Sequence, residues 1–189
     1  MDDSFLKKKY WKGKNVFVTG GMGFIGSWLL KYLIENQANV TCLNFRKDKN
    51  VSEIFEMRKC NIVEGRIEDI ELLNKIIVSE NIDHIFHLAG QPIVQGGLEN
   101  PLETIEINVM GTTKLLEACR LNSSKLKSIV ICSSINAYGN SNNLPFNEDS
   151  SLNGVYPYDV SKSCMDIIAQ SYGKTYGLPI GITRFSNVY

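Results

Sequence analysis

The sequence predicts an α/β fold, a doubly wound parallel sheet of about six strands, on three observations. Short β-rich apolar runs alternate with helical patterns along the chain. A glycine-rich turn joins the first run to the first helix. The runs are separated by stretches that carry helical periodicity, the crossover that parallel strands need, and this covers the sheet on both faces.

The elements follow in order. Strands are expected at Val16–Val18, Val40–Leu43, Asn61–Val63, Ile85–Leu88, Ile129–Cys132 and Ile180–Thr183. Helices are expected at Phe24–Glu35, Ile70–Ser79, Leu102–Leu121 and Pro157–Tyr176. The stretches Asp69 to Ile77 and Thr104 to Cys119 place apolar residues at three- and four-residue steps, the stripe of a helix packed on a sheet. Pro101 and Pro157 stand where a first helical turn tolerates a missing N–H, and Gly177-Leu178-Pro179 closes the last helix. The long irregular piece is Ile135 to Tyr156. It follows the fifth strand at its carboxyl end, where open α/β sheets place their ligands.

Bulk properties exclude several classes. The 189 residues form one domain, with residues 1–13 as an N-terminal arm whose lysines (Lys7, Lys8, Lys9, Lys12) read as a solvated face. Twenty basic and twenty acidic side chains cancel, so no global field favours nucleic acid or an anionic membrane. The five cysteines show no ligand spacing, and Cys42, Cys119 and Cys132 sit within apolar segments. An odd cysteine count, no signal peptide and no apolar run near the roughly 18 residues of a membrane span imply a soluble, cytoplasmic protein. The two histidines, His84 and His87, point to opposite faces of one strand, so no metal site is expected.

The glycine turn carries the first functional signal. Gly20, Gly23 and Gly26 are spaced G-x-x-G-x-x-G between strand and helix. Gly20 lets the chain turn, Gly23 lets backbone amides approach a pyrophosphate, and Gly26 lets the helix lie close to the strand. At the end of the second strand, where a carboxylate commonly holds the ribose hydroxyls, the chain has Asn44, with Arg46 two residues on. Arg46 placed against a ribose 2′-phosphate would favour NADP; Arg46 as an ordinary loop residue, with Asp48 folded back onto the ribose, would leave NAD.

The second signal is Tyr158-Asp159-Val160-Ser161-Lys162. Positions i and i+4 share a helix face, so phenol and ammonium project together, and the cation is expected to lower the phenol pKa from about 10. A tyrosine so tuned takes a proton from a hydroxyl while hydride leaves the same carbon.

Together TGGMGFIG, HLAG, NVMGT, SSINAYG, YDVSK and RFSN resemble the extended short-chain dehydrogenase/reductases, the NAD-dependent epimerase/dehydratase family, and most closely its CDP-glucose 4,6-dehydratase-like branch. The resemblance runs from Lys14 to the last residue and implies a Rossmann fold. It also implies a nucleotide-sugar substrate, oxidised transiently at carbon 4 with NAD or NADP, and pairing of two copies through helices including the one that bears Tyr158. Gly20, Gly23, Phe24, Ile25, Gly26, Leu88, Ala89, Gly90 and Lys162 would contact cofactor. Ser134, Tyr158 and Lys162 would be catalytic. Asn108 would brace the site and, with Ser134 and Asn187, reach the substrate. Tyr138 and Tyr156 read as packing aromatics.

Three departures qualify this. Dehydratases of the family carry Asp-Glu or Asp-Lys after the catalytic Ser/Thr, to remove the carbon-5 proton and protonate the departing hydroxyl; here stand Ile135 and Asn136. Arg66 replaces an Asp that accepts from the adenine amino group. The substrate domain that relatives carry after the sixth strand is expected to be largely missing. A truncated, non-catalytic NAD(P)-binding module, or a half-enzyme completed by a partner, is the alternative reading.

Overall fold

The computed structural model describes residues 10–45, 59–140 and 144–189. Its six strands are β1 (Asn15–Thr19), β2 (Asn39–Asn44), β3 (Cys60–Glu64), β4 (His84–His87), β5 (Ser128–Ser134) and β6 (Ile180–Phe185). All pair in parallel, in the order β3-β2-β1-β4-β5-β6. The order reverses between β1 and β4, and the crevice above that point is where such sheets hold ligands.

The flanking helices are α1 (Phe24–Glu35), α2 (Ile70–Ser79), α3 (Val94–Glu99), α4 (Pro101–Ile105), α5 (Thr112–Leu121) and α6 (Pro157–Tyr176). Two cores result. Val16 and Val18 of β1 pack with Leu30 and Leu33 of α1 on one face. Phe17, Ile85, Ile129 and Ile131 pack with Leu73, Leu115, Leu116 and Met165 on the other. The alternation within β1 thus feeds both layers, which is why it reads as a continuous apolar run. Truncating Leu116, which is fully buried, costs about 2–5 kcal/mol.

Helix α6 starts on Pro157 and ends at Gly177, whose φ of 68° is the left-handed conformation that closes helices. The single helix expected over Leu102–Leu121 is instead broken by a π-turn at Glu106–Gly111 between α4 and α5. Side chains compete there for the backbone: the hydroxyls of Thr112 and Thr113 donate to the carbonyls of Asn108 (2.5 Å) and Val109 (2.8 Å). Helix α3 escapes the sequence reading because it is short and contains Gly96-Gly97.

The N-terminal arm is packed at its described end. Trp11 sits edge-on to His84 and beside Phe86. Both histidines are engaged on opposite sides of β4, His84 by Ser128 (2.8 Å) and His87 by Thr19 (2.7 Å) and Thr112 (2.9 Å). Among the described residues no helix is long and apolar enough to cross a membrane.

Candidate active site

A cleft of about 900 Å³ runs across the carboxyl ends of the strands. At one end lies the β1–α1 turn. Gly20 has φ +71°, and a Cβ there would stand 2.5 Å from the Ala89 nitrogen and 2.6 Å from the Leu88 carbonyl carbon. A Cβ on Gly26 would run into the Gly20 carbonyl. At Gly23, the residue capping α1, an added Cβ would meet only the Gly20 oxygen, at 3.3 Å. The cradle beside the first turn of α1 therefore fits a pyrophosphate. Phe24 and Ile25 line the cleft with these glycines.

Asn44 borders the cleft at the end of β2; Arg46 lies outside the described residues. Beyond Asn44 the Arg66 guanidinium lies 4.5 Å over the Phe45 ring and donates to Glu68 at 2.8 Å. Phe45 and Glu68 line this end as well, and nothing in the local spacing marked them.

Across the switch point, Leu88, Ala89 and Gly90 follow β4. Leu88 N donates to the Thr19 carbonyl (3.0 Å) and Ala89 N to its hydroxyl (3.2 Å), so this segment is held against β1. Asn108 stands behind it. The structure corrects the expectation of a substrate contact at Asn108: the residue is 0% exposed, and both ends of its amide are engaged. It accepts from Gln91 N (2.8 Å) and donates to the Gln91 carbonyl (3.2 Å) and Ser161 hydroxyl (2.8 Å). It braces the loop after β4 against α6, and the π-turn sets it there. Asn187 lines the far end of the cleft, just past β6.

The three residues expected to be catalytic converge between these ends. Ser134 ends β5, Tyr158 is the second residue of α6, and Lys162 follows one turn later; all three border the cleft. Tyr158 is 8% exposed and Lys162 6%. Lys162 Nζ donates to the Cys132 carbonyl at 3.0 Å and lies 5.9 Å from the centre of the Tyr158 ring.

The lowered phenol expected from the Tyr-Lys pair is not what the structure shows. Burial pushes the Tyr158 pKa above its ordinary value; the Ser134 hydroxyl opposes that shift, and the neighbouring Cys132 and Asp159 add to it. Burial also pushes the Lys162 ammonium down, with Cys132 opposing. Desolvation dominates both shifts, and the ammonium is directed to a backbone carbonyl.

Tyr138 packs as expected. Its ring stacks on Phe146 (4.6 Å) and its hydroxyl accepts from Arg184 (2.7 Å). Arg184 also clasps buried Asp166 through two donors (2.7 and 3.1 Å) and the Glu148 carbonyl (3.0 Å), tying β6, α6 and the loop after β5 together. Tyr156 is half-exposed at the start of α6. Ile135 faces the cleft, and Asn136 beside it donates from its amide to Asp159 at 3.2 Å.

A parallel sheet with a glycine cradle at its switch point, and Ser, Tyr and Lys beside it, defines a Rossmann domain of the short-chain dehydrogenase/reductase class. Known proteins narrow this. A family model described as GDP-mannose 4,6 dehydratase matches residues 17–189. The chain belongs to this NAD-dependent epimerase/dehydratase family. It is 35% identical to the CDP-glucose 4,6-dehydratase of Salmonella typhimurium, over 92% of this chain and 49% of that one. It is 37% identical to a putative UDP-glucose 4-epimerase of Methanocaldococcus jannaschii, over 92% and 56%. The dTDP-glucose 4,6-dehydratase of Streptomyces venezuelae, solved with NAD bound, superimposes with a TM-score of 0.81 at 29% identity, over 90% of this chain and 55% of that one. The chain thus spans about half the length of these relatives.

Proposed function

We propose that this chain carries the cofactor and proton-transfer half of a nucleotide-sugar 4-epimerase. The observation that carries the reading is the pairing of an intact Ser134–Tyr158–Lys162 set with Ile135-Asn136 in place of the acid–base pair of dehydratases. Tyr158 would take the proton of the sugar carbon-4 hydroxyl and later return it. Ser134 would donate to the same oxygen, and Lys162 would stabilise the phenolate. A bound nicotinamide dinucleotide supplies the acceptor, and then the donor, of the carbon-4 hydride. Elimination of water would further need a base for the carbon-5 proton and an acid at carbon 6. Ile135 transfers no proton, and the Asn136 amide is engaged with Asp159.

The glycine cradle and Lys162 would hold the cofactor. Arg46 favours NADP, whereas Arg66 is already paired with Glu68 and so offers less to a 2′-phosphate. Pairing of two copies would use exposed apolar residues such as Leu102, Met110 and Ile167. A second reading, a module that binds dinucleotide without turnover, is favoured by Arg66 in place of an adenine-accepting carboxylate.

Calorimetry with NAD and NADP, followed by incubation with UDP-, CDP- and dTDP-sugars under mass spectrometry and NMR, tests both. Carbon-4 epimer is the expected product. A 4-keto-6-deoxy sugar would overturn the epimerase reading, and cofactor binding without any turnover would leave the module. Absence of cofactor binding ends both.

A further inference from the structure

Asn136 lines the cleft next to Ser134 but transfers no proton. Its hydrogen bonds show another use. Its backbone N–H donates to the Ser134 hydroxyl oxygen at 3.2 Å, and its side-chain amide donates to Asp159 Oδ1 at 3.2 Å. Asp159 is buried beside Tyr158, and its other oxygen accepts from Tyr156 N at 3.4 Å. One residue therefore touches both reacting groups, Ser134 directly and Tyr158 through the residue that follows it.

The next residue supplies a second tie. The Ala137 carbonyl accepts from the Ser163 hydroxyl at 2.7 Å. Asp159 and Ser163 are four apart, on one face of α6. A single contact between the Ile135–Tyr138 turn and the helix would act as a hinge. Two contacts, from consecutive residues of the turn to one helix face, also set the rotation of the helix start. We infer that Asn136 is a positioning residue that holds the Ser134 hydroxyl and the Tyr158 turn of α6 in a fixed relation.

The chemistry accounts for the residue type. The backbone N–H that bonds the Ser134 hydroxyl comes with any residue but proline and leaves that hydroxyl its own hydrogen for donation, whereas the tie to Asp159 needs the side-chain amide. Alanine at 136 has no side-chain donor for Asp159, and a glutamate would set a second carboxylate against that buried one. The inference rests on the reading of Ser134 and Tyr158 as the reacting pair, but its test needs no turnover.

The charged and titratable groups around the phenol are Lys162 and Asp159 on its own helix and Cys132 on β5; α3 approaches with Gly97. Incorporate 3-fluorotyrosine at position 158 of the chain, whose phenol ionises more readily, and titrate it by fluorine NMR. Asn136→Ala, and Asn136→Leu as a variant of nearly unchanged volume should alanine fail to fold, are expected to move the midpoint upward, because the Ser134 hydroxyl, still bonded by the backbone N–H of residue 136, is no longer tied through Asp159 to the Tyr158 turn. Ser134→Ala should do the same, and the double variant should go no further than Ser134→Ala alone. A midpoint that stays at the parent value in a folded Asn136 variant overturns the proposal, as do effects that add. Failure of the epimerase reading would appear separately, as absent turnover in the parent chain.

Discussion

The two ends of the cleft are built by different means. The glycine cradle is local: β1, a tight turn and the start of α1, held by contacts between neighbours in sequence such as Gly23 N on the Gly20 carbonyl (3.1 Å). The proposed reacting end draws on β5, the turn after it, α6 and β6, joined by Asn136–Asp159, Ser163–Ala137 and Arg184–Asp166. A local device can be read from spacing and varied by loop exchange. An assembled one depends on several distant residues at once, and its chemistry follows from burial as much as from residue type.

Substitutions at each end should separate binding from chemistry. The largest effect is expected at the reacting end: Tyr158→Phe should lower turnover by about 10²- to 10⁴-fold while leaving the cofactor Kd nearly unchanged. Turnover that survives would place the base elsewhere. At the cradle the expected split is reversed. Gly20→Ala forces a side chain into left-handed backbone against Ala89 N, at a cost of about 1–3 kcal/mol in strain, and calorimetry should show dinucleotide affinity falling by roughly tenfold or more.

An effect comparable in size to that at the cradle probes the buried strand between the two ends. Burial, with the Lys162 charge adding to it, pushes the His87 pKa down to about 3. Unfolded, the ring titrates near 6.5. Between those values the unfolded chain binds a proton that the folded chain does not. The stability is therefore fully present above about pH 6.5 and falls by roughly 1.4 kcal/mol per pH unit as the pH drops towards 3. Urea unfolding at pH 7 and pH 5 should show the parent losing about 2 kcal/mol more than His87→Gln over that interval. Equal losses would mean that the ring is not held neutral.

Much of the framework was legible because its signals are local. Helices Phe24–Glu35, Ile70–Ser79 and Pro157–Tyr176 have the bounds that periodicity, Pro157 and Gly177 predict. The break at Glu106–Gly111 was not legible. Thr112, Thr113 and Asn108 suit a helix by period, and only the hold of the two threonine hydroxyls on the Asn108 and Val109 carbonyls, with Gln91 and Ser161 fixing the Asn108 amide, shows why the turn widens. Phe45 and Arg66 were equally hidden as a pair, since adjacent strands bring them together. The Tyr158 phenol was misjudged for a related reason: helical spacing reports the nearby ammonium but not the burial that desolvates both.

The sequence by itself determined the parallel α/β order, the glycine cradle and the residue types at Ser134, Tyr158 and Lys162, because periodicity, turn chemistry and i,i+4 geometry act over a few residues. The tertiary structure alone decided how those groups are tuned and held. It closed Asn108 off from the cleft, turned the Asn136 amide onto Asp159, and buried the phenol and ammonium together. Those outcomes depend on which distant surfaces exclude water from a group and which donors reach it, and no spacing along the chain encodes that.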